Sequence, residues 1–146
     1  MAFQSDNLRD HSFHCFLTQV TALHLAAWFS SGSVVRALIE AGANVNARDS
    51  SEQTALHLAA WHNPVTVPVL LEANAEVNLL NSQECSPLYH AARRSHREAV
   101  IALCAAGANP YHGYNPLTDS YVCDEVKVLI RDSGWAMFSF LNDAMF

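Results

Sequence analysis

Histidines, cysteines and carboxylates are the side chains of this chain that can do chemistry at neutral pH. The 146 residues include 8 His, 4 Cys and 14 Asp or Glu, enough on paper for general-base, nucleophilic or metal chemistry. Catalysis also requires a recognisable spacing, and the chain has no Gly-rich phosphate loop, nucleophile elbow or usefully spaced pair of carboxylates. The sequence therefore argues against an enzyme and against a bound cofactor.

The densest group of potential metal ligands lies near the N-terminus, at His11, His14 and Cys15. Zinc sites use ligand pairs at regular spacings, and this group matches none of them. The 4 cysteines form no Cys-x-x-Cys pair. We therefore expect no metal site, and we interpret the cysteines as reduced thiols.

Two of the histidines, His24 and His57, occupy the same place in a repeated heptapeptide. Thr-Ala-Leu-His-Leu-Ala-Ala spans Thr21–Ala27 and recurs 33 residues later at Thr54–Ala60, and a looser copy follows at Ser86–Ala92. A period near 33 is typical of a solenoid, in which each unit buries its apolar face against its neighbours. The repeat thus explains the placement of both histidines without catalysis.

Each unit must contain two helices followed by an extended polar finger. The hydroxyls of Thr21 and Thr54 can cap a first helix, and Ala and Leu favour its continuation. Gly42, Asn74 and Gly107 stand where a second helix needs a left-handed residue at its end. The predicted second helices are Val34–Ala41, about 65–73, and Glu98–Ala106.

The repeated unit resembles the ankyrin repeat. The resemblance rests on Thr-x-Leu-His-Leu-Ala-Ala, a Val-rich second helix, and then Gly-Ala-Asn-Val-Asn-Ala-x-Asp at Gly42–Asp49, and it covers about Thr21–Asn115. It implies an all-α ankyrin-repeat solenoid of stacked helix-turn-helix units with β-turn finger loops, in which Asp49 anchors a finger turn. It also implies structural hydrogen bonds between Thr and His that tie neighbouring repeats together, at Thr21, His24, Thr54 and His57.

The chain divides into five segments. We interpret the C-terminal segment as a degenerate fourth repeat, with a second helix ending at Gly134, and a capping helix. Its apolar tail, Trp135–Phe146, is alternatively a partner-binding or membrane-surface helix, or the edge of a longer protein; the absence of Lys and Arg weakens the membrane alternative. The segments are an N-terminal cap (1–20), three repeats (21–53, 54–85 and 86–116) and the C-terminal segment (117–146).

Several positions depart from the family pattern. Pro68 would break a long helix, so we expect the second helix of repeat two to be short and to begin after Thr66. Glu52 and Glu84 replace the usual Gly of the finger turn, which predicts distorted or mobile finger tips. In repeat three, Tyr89 replaces the motif His, and His90 is expected to be buried with its hydrogen bonds satisfied.

The positions that follow each Ala-Ala pair are the candidate partner site. In ankyrin proteins these positions and the fingers line a concave face, and aromatic and Arg side chains dominate binding hot spots. The alternative is that Trp28 and Trp61 are half-buried between helices. The candidate partner-binding residues are Trp28, Phe29, Trp61, His62, Arg93 and Arg94 on the helices, and Ser51, Gln53 and Gln83 on the fingers.

Arg93, Arg94, His96 and Arg97 form a basic cluster in an acidic chain. The cluster is either a solvated surface or a receptor for an acidic segment or phosphate. The net charge of −6 argues against nucleic-acid binding.

The sequence predicts a protein–protein interaction module, a scaffold or adaptor that binds an unknown partner protein through the concave groove. We expect a cytoplasmic or nuclear monomer with no membrane span, since no run of 18 apolar residues and no secretory signal is present. The alternative is a fragment or isoform of a larger adaptor whose repeats are mainly structural. Asn46 and Asn78 lie eight residues after a Leu, a context that resembles asparaginyl hydroxylation sites in ankyrin repeats.

Overall fold

The computed structural model describes residues 19–135. The predicted N-terminal cap, the cluster at His11, His14 and Cys15, and most of the apolar tail lie outside the described residues. Within 19–135 the chain forms seven α-helices and no strand. They are α1 Ala22–Phe29, α2 Gly32–Glu40, α3 Ala55–His62, α4 Val67–Glu72, α5 Pro87–Arg93, α6 Arg97–Ala105 and α7 Asp124–Ile130.

The first helices α1, α3 and α5 begin at the repeated motif. Thr21, Thr54 and Ser86 are their N-cap residues in extended backbone conformation. The Thr21 hydroxyl oxygen accepts a hydrogen bond from the His24 N–H at 3.4 Å, and the Ser86 hydroxyl accepts one from the Tyr89 N–H at 3.2 Å. These caps satisfy donors that would otherwise lack a partner at the helix start.

The helices pack in two layers. α1, α3 and α5 form one layer, and the second helices α2, α4, α6 and α7 form the other. Between the layers, side chains at equivalent positions of successive repeats are completely buried. The largest of these are Leu23, Leu56 and Leu88 from the first helices, and Val35, Val67 and Val100 from the second helices.

The loop between the two helices of a repeat is tied to the repeat before it. The Asn63 side-chain amide donates to the Ser30 carbonyl at 2.7 Å, and His96 Nδ1 donates to the Ala60 carbonyl at 3.0 Å. Both bonds use carbonyl groups at the C-terminal ends of first helices, which have no partner within the helix.

The second helix of repeat two is short, as predicted. A single 3₁₀ turn spans Pro64–Thr66, and α4 begins after Thr66 and has only six residues. Pro68 lies at the second position of α4, where its missing N–H would have no intrahelical partner. The prolines are therefore accommodated without a broken helix.

The finger turns are regular, so the predicted distortion of the finger tips was wrong, and their mobility stays a prediction. Glu52 and Glu84 have φ of 57° and 58°, the left-handed conformation that normally favours Gly. Each turn closes around a polar side chain: Asp49 Oδ1 accepts from the Ser51 and Gln53 N–H groups at 2.8 and 2.9 Å. Asn81 Oδ1 does the same for Gln83 and Cys85 at 2.9 and 3.0 Å. These bonds offset the backbone strain.

The predicted fourth repeat is reduced to one helix. Residues 115–123 form turns in place of a first helix, because they lack the Ala- and Leu-rich run of the motif. α7 ends at Ile130 and continues as a wider π-helical turn over Arg131–Trp135, so the helical segment extends one residue past the predicted end at Gly134. Val126 and Ile130 of α7 are buried, and α7 therefore covers α6.

Candidate partner-binding groove

A pocket of about 310 Å³ opens between the first helices and the fingers. Its walls combine apolar side chains from α1 and α3 with polar side chains from two successive fingers. A concave, mostly apolar site with a few polar groups is the usual form of a binding pocket. The lining residues are Val20, Leu25, Trp28, Asp49, Ser51, Gln53, Leu58, Trp61, His62, Gln83, Cys85, His90 and Arg93.

Aromatic rings form a continuous row along this face. Trp28 stacks on His62 with ring centroids 4.0 Å apart, and on its other neighbour, Phe29, at 5.1 Å. Trp61 meets His62 and His90 edge to face at 6.4 and 5.2 Å. The row links α1, α3 and α5: Trp28 and Trp61 follow their Ala-Ala pairs, whereas His90 precedes the pair of α5.

The structure brings together most of the proposed partner-binding residues. Seven of the nine line the pocket, namely Trp28, Ser51, Gln53, Trp61, His62, Gln83 and Arg93. Phe29 is 71% exposed and lies outside the pocket, and Arg94 lies above Trp61 at its border. Trp28 and Trp61 are half-buried, so these two side chains pack between repeats and line the groove at once.

Leu25 and Leu58 are apolar residues of the pocket that sequence reasoning missed, as it also missed Val20 before α1. They were assigned to the scaffold as part of the repeated motif, yet Leu25 is 45% exposed. The signal was present in the spacing, because Leu25 precedes Trp28, and Leu58 precedes Trp61, by three residues. Residues three apart share one face of a helix.

The basic cluster does not form one patch. Arg97 pairs with Glu125 at 2.8 Å, and His96 is held by the Ala60 carbonyl. Arg93 donates to the Tyr89 hydroxyl at 3.3 Å and lies over the Tyr121 ring at 5.0 Å, whereas Arg94 lies over Trp61 at 5.1 Å. Of the four residues of this cluster, only Arg93 and Arg94, which follow the Ala-Ala pair at the end of α5, line or border the pocket.

His24 and His57 make the same set of hydrogen bonds in successive repeats. In each, Nδ1 accepts from the backbone N–H of the capping Thr, at 3.2 Å for His24 and 3.1 Å for His57. Nε2 must then carry the proton, and it donates to the carbonyl of Gln53 or Cys85 at 2.9 or 3.1 Å. Both rings are fully buried, and their bonds have a structural role.

His90 is buried as predicted, but the prediction that its hydrogen bonds are satisfied was wrong. It is 8% exposed, and its Nδ1 has no hydrogen-bond partner. Its Nε2 lies 3.5 Å from the Asn81 side-chain amide, a long and weak contact. Burial lowers the pKa of His90 to about 4, and burial together with the nearby His90 lowers the pKa of His57 to about 3. Both rings are therefore neutral at pH 7.

Tyr89 takes over the linking role of the missing motif His in repeat three. Its hydroxyl donates to Asp119 Oδ2 at 2.7 Å, in the loop that leads to α7. Burial, with the Asp119 contact adding to it, raises the pKa of Tyr89. The Tyr121 backbone N–H and the Tyr89 hydroxyl lower the pKa of Asp119. The bond thus joins a neutral phenol to an ionised carboxylate.

Asn46 and Asn78 lie in the connections between repeats. Asn46 Oδ1 accepts from the Glu76 N–H at 2.8 Å, and Asn78 Oδ1 accepts from the Asn109 N–H at 2.7 Å. Both residues are half-buried. In the folded stack their side-chain amides are therefore engaged by the next repeat.

Within residues 19–135 no group of three or more His, Cys, Asp or Glu is arranged to hold a metal ion. The cysteines described there, Cys85, Cys104 and Cys123, are free thiols, and burial raises the pKa of Cys85 and of Cys104. Over the same residues, none of the helices has the length and apolar character needed to cross a lipid bilayer.

Comparison with known proteins identifies the repeat. A family model described as ankyrin repeats in three copies matches residues 4–81, more than half of the 146 residues. A search of curated proteins finds no match to this chain. Ankyrin repeats generally serve as protein–protein interaction modules, and the family is typically non-enzymatic. With its stacked helical hairpins, its capped motif helices and this match, the chain belongs to the ankyrin-repeat family.

Proposed function

We propose that this chain is a scaffold or adaptor module that binds a partner protein through the groove between its first helices and its fingers. The observation that carries the proposal is the pocket, which gathers side chains from equivalent positions of successive repeats around one cavity. Trp28 and Trp61 supply rigid aromatic area, and Ser51, Gln53 and Gln83 supply hydrogen bonds. Binding requires no chemistry, only the presentation of these side chains by a rigid stack.

A matched pair of substitutions tests the groove. Leu25→Gln removes an apolar group from the pocket wall, where Leu25 is 45% exposed. Val128→Gln makes a comparable change on α7, outside the pocket, where Val128 is 50% exposed. Neither change alters the net charge, and neither side chain is buried in the core.

The measurement is affinity capture from cell lysate with quantitative mass spectrometry, alongside thermal melts of each variant. Binding can bury only the 45% of Leu25 that is exposed in the free chain, so losing this contact costs about 1 kcal/mol, or roughly fivefold in affinity. Specific proteins should therefore be depleted with Leu25→Gln and retained with Val128→Gln. If both variants capture the same proteins as the unchanged chain, the groove is not the binding site.

The same proposal includes a monomer in the cytoplasm or nucleus. The free thiols at Cys85, Cys104 and Cys123 support the proposed location, since disulfides form and persist in oxidising compartments. Fluorescent tagging and light scattering measure the two properties directly. The alternative, a piece of a larger adaptor with mainly structural repeats, predicts that Leu25→Gln leaves the captured proteins unchanged.

Hydroxylation of Asn46 and Asn78 is a separate proposal about the scaffold. The two residues hold equivalent positions and each bonds the following repeat, so a modifying enzyme reaches their side chains when that bond opens. A gain of one oxygen on these residues in cell-derived protein supports the proposal, and an unmodified peptide map counts against it.

A further inference from the structure

The cations of this chain differ in how they are neutralised. Arg36 pairs with Glu72, Arg48 with Glu52 and Arg97 with Glu125, at 3.0, 3.3 and 2.8 Å. Lys127 lies 3.8 Å from Asp124. Among the described residues, Arg93, Arg94 and Arg131 have no carboxylate within ion-pair distance. Of these three, Arg93 and Arg94 are adjacent in the chain and lie at the pocket or at its border.

Aromatic rings hold these two arginines in place. The Arg93 guanidinium lies over Tyr121 at 5.0 Å, and the Arg94 guanidinium lies over Trp61 at 5.1 Å. A guanidinium that rests on a ring keeps N–H donors at its edge, and these donors match the two oxygens of a carboxylate. The ring contacts therefore hold both guanidinium groups in place and leave N–H donors available to bind a carboxylate.

The apolar pocket lies next to these cations. Trp61 forms part of the pocket wall and also supports Arg94, whereas Arg93 lines the pocket itself. His62 and His90 line the pocket too, and burial lowers the pKa of both. The positive charge at this end of the groove therefore comes from the arginines.

The acidic side chains of the two fingers either bind within their own finger or lie outside the pocket. Asp49 lines the pocket, but its Oδ1 accepts two backbone N–H groups of its own finger turn. Glu52 pairs with Arg48 on the same finger, and Glu84 does not line the pocket.

Arg93 shares the Tyr89 hydroxyl with Asp119. The pKa of Asp119 is lowered by its bonds to the Tyr121 N–H and the Tyr89 hydroxyl, and the charge of Arg93 contributes to this effect. Within the described residues Arg94 has no such internal link, so an incoming carboxylate reaches Arg94 without replacing an internal contact.

The spacing of the stack limits what can bind both features. Packed helices lie about 8–10 Å apart, so a peptide that crosses from α3 to α5 must advance by roughly that distance along the groove. An extended peptide advances about 3.3 Å per residue. Two to four residues therefore separate a side chain in the pocket from one that reaches the arginines.

We propose that the groove binds an acidic peptide segment of a partner protein, in which one aromatic or aliphatic side chain enters the pocket. An Asp or Glu two to four residues away then pairs with Arg93 or Arg94. This inference rests on the proposed function, since it specifies the chemistry of the partner that the groove takes.

The probe is a phage-displayed library of random dodecapeptides, selected against the full 146-residue chain. Enriched peptides are then synthesised, and their dissociation constants are measured by fluorescence anisotropy at low and high salt. The test variant is Arg93→Gln/Arg94→Gln. The control is Arg36→Gln, which removes a cation from α2, outside the pocket, where its exposed ion pair adds little stability. Thermal melts verify that both variants are folded.

Enriched sequences should combine an aromatic or aliphatic residue with Asp or Glu at the stated spacing. Arg93→Gln/Arg94→Gln should weaken their binding by about tenfold or more, whereas Arg36→Gln should change it less than about twofold. Salt should weaken binding to the unchanged chain more than binding to the double variant.

The inference is overturned if the enriched peptides are neutral or basic, if they bind the double variant as tightly as the unchanged chain, or if no sequence is enriched. A peptide that binds only when phosphoserine replaces its Asp or Glu also overturns the assignment of a carboxylate. Leu25→Gln separates the two proposals. If the enriched peptides bind Leu25→Gln more weakly but contain no required carboxylate, the groove is still the binding site and only the acidic-peptide inference fails. If they bind Leu25→Gln as tightly as the unchanged chain, the groove is not the binding site and both proposals fail.

Discussion

The imidazole rings of His57 and His90 meet edge to face, with centroids 5.6 Å apart and an angle of 73° between their planes. His57 belongs to α3 and His90 to α5, so the contact joins repeats two and three. His57 is satisfied on both nitrogens, whereas His90 Nδ1 is buried without a partner. The joint between these repeats therefore depends on two imidazoles that must both remain neutral.

Acidification should destabilise the stack. The pKa values of His57 and His90 are about 3 and 4 in the folded chain, and both rise to 6.5 when the chain unfolds. Between those values the unfolded state binds more protons, so the stabilising contribution is complete above pH 6.5 and is lost as the pH falls. At pH 5 each histidine should remove up to about 2 kcal/mol from the free energy of unfolding.

Urea titrations at pH 7, 6 and 5 measure this dependence. The control is His112→Gln, which replaces a histidine at an exposed position outside this joint. A free energy of unfolding that stays constant from pH 7 to pH 5 would show that the two imidazoles are not held neutral by the fold.

Replacing His90 by Leu should stabilise the protein. His90 stands at the motif position that Leu58 occupies in repeat two, and a buried polar atom without a partner costs about 1–3 kcal/mol. His90→Leu should therefore raise the midpoint of urea unfolding and reduce its pH dependence. A lower midpoint with unchanged slope would mean that the contacts of the ring with Trp61 and His57 outweigh the unsatisfied nitrogen.

A glycine at the second finger tip should also stabilise the chain. Glu84 has φ of 58° and, within the described residues, no ion pair, so Glu84→Gly relieves a left-handed conformation at the cost of greater freedom in the unfolded chain. We expect a net gain of up to about 1 kcal/mol in differential scanning calorimetry. Glu98→Gly inside α6 is the control and should lower stability. Equal effects of the two substitutions would contradict the argument from φ.

Tyr89→Phe should loosen α7 from the rest of the stack. The substitution removes the 2.7 Å bond to Asp119 and the 3.3 Å bond from Arg93 but keeps the ring. A hydrogen bond to a charged group contributes about 1.5–3 kcal/mol. Hydrogen exchange of the α7 amides should therefore accelerate more than that of the α3 amides. Tyr111→Phe, at an exposed position, should change neither.

Local signals in the sequence predicted the scaffold well. Thr21 and Thr54 cap their helices, and the second helices begin and end within two residues of the predicted limits. Pro68 forces the late start of α4. Such features depend on side chains a few residues apart, which a single sequence displays directly.

The composition of the groove depends on contacts between repeats, and the motif alone does not fix them. Leu25 and Leu58 share one motif position, yet Leu25 is 45% exposed and Leu58 is 6% exposed. The expected hydrogen bonds of His90 are not formed. Its imidazole stands where the motif has Leu, and from there it reaches only the side-chain amide of Asn81. Tyr89 found Asp119 thirty residues away, a pairing that no spacing rule predicts.

The histidine hydrogen bonds give repeats one and two the same connection to the repeat that follows each of them. His24 donates to Gln53 and His57 donates to Cys85, and in each case the acceptor is the residue immediately before the next motif. A duplicated copy of residues 21–53 would bring both its donor and its acceptor, so the array can lengthen at this boundary by simple gene duplication. Tyr89 of repeat three instead donates to the Asp119 carboxylate in the loop that follows the repeat. A repeat added after repeat three would therefore need a different set of hydrogen bonds at its boundary.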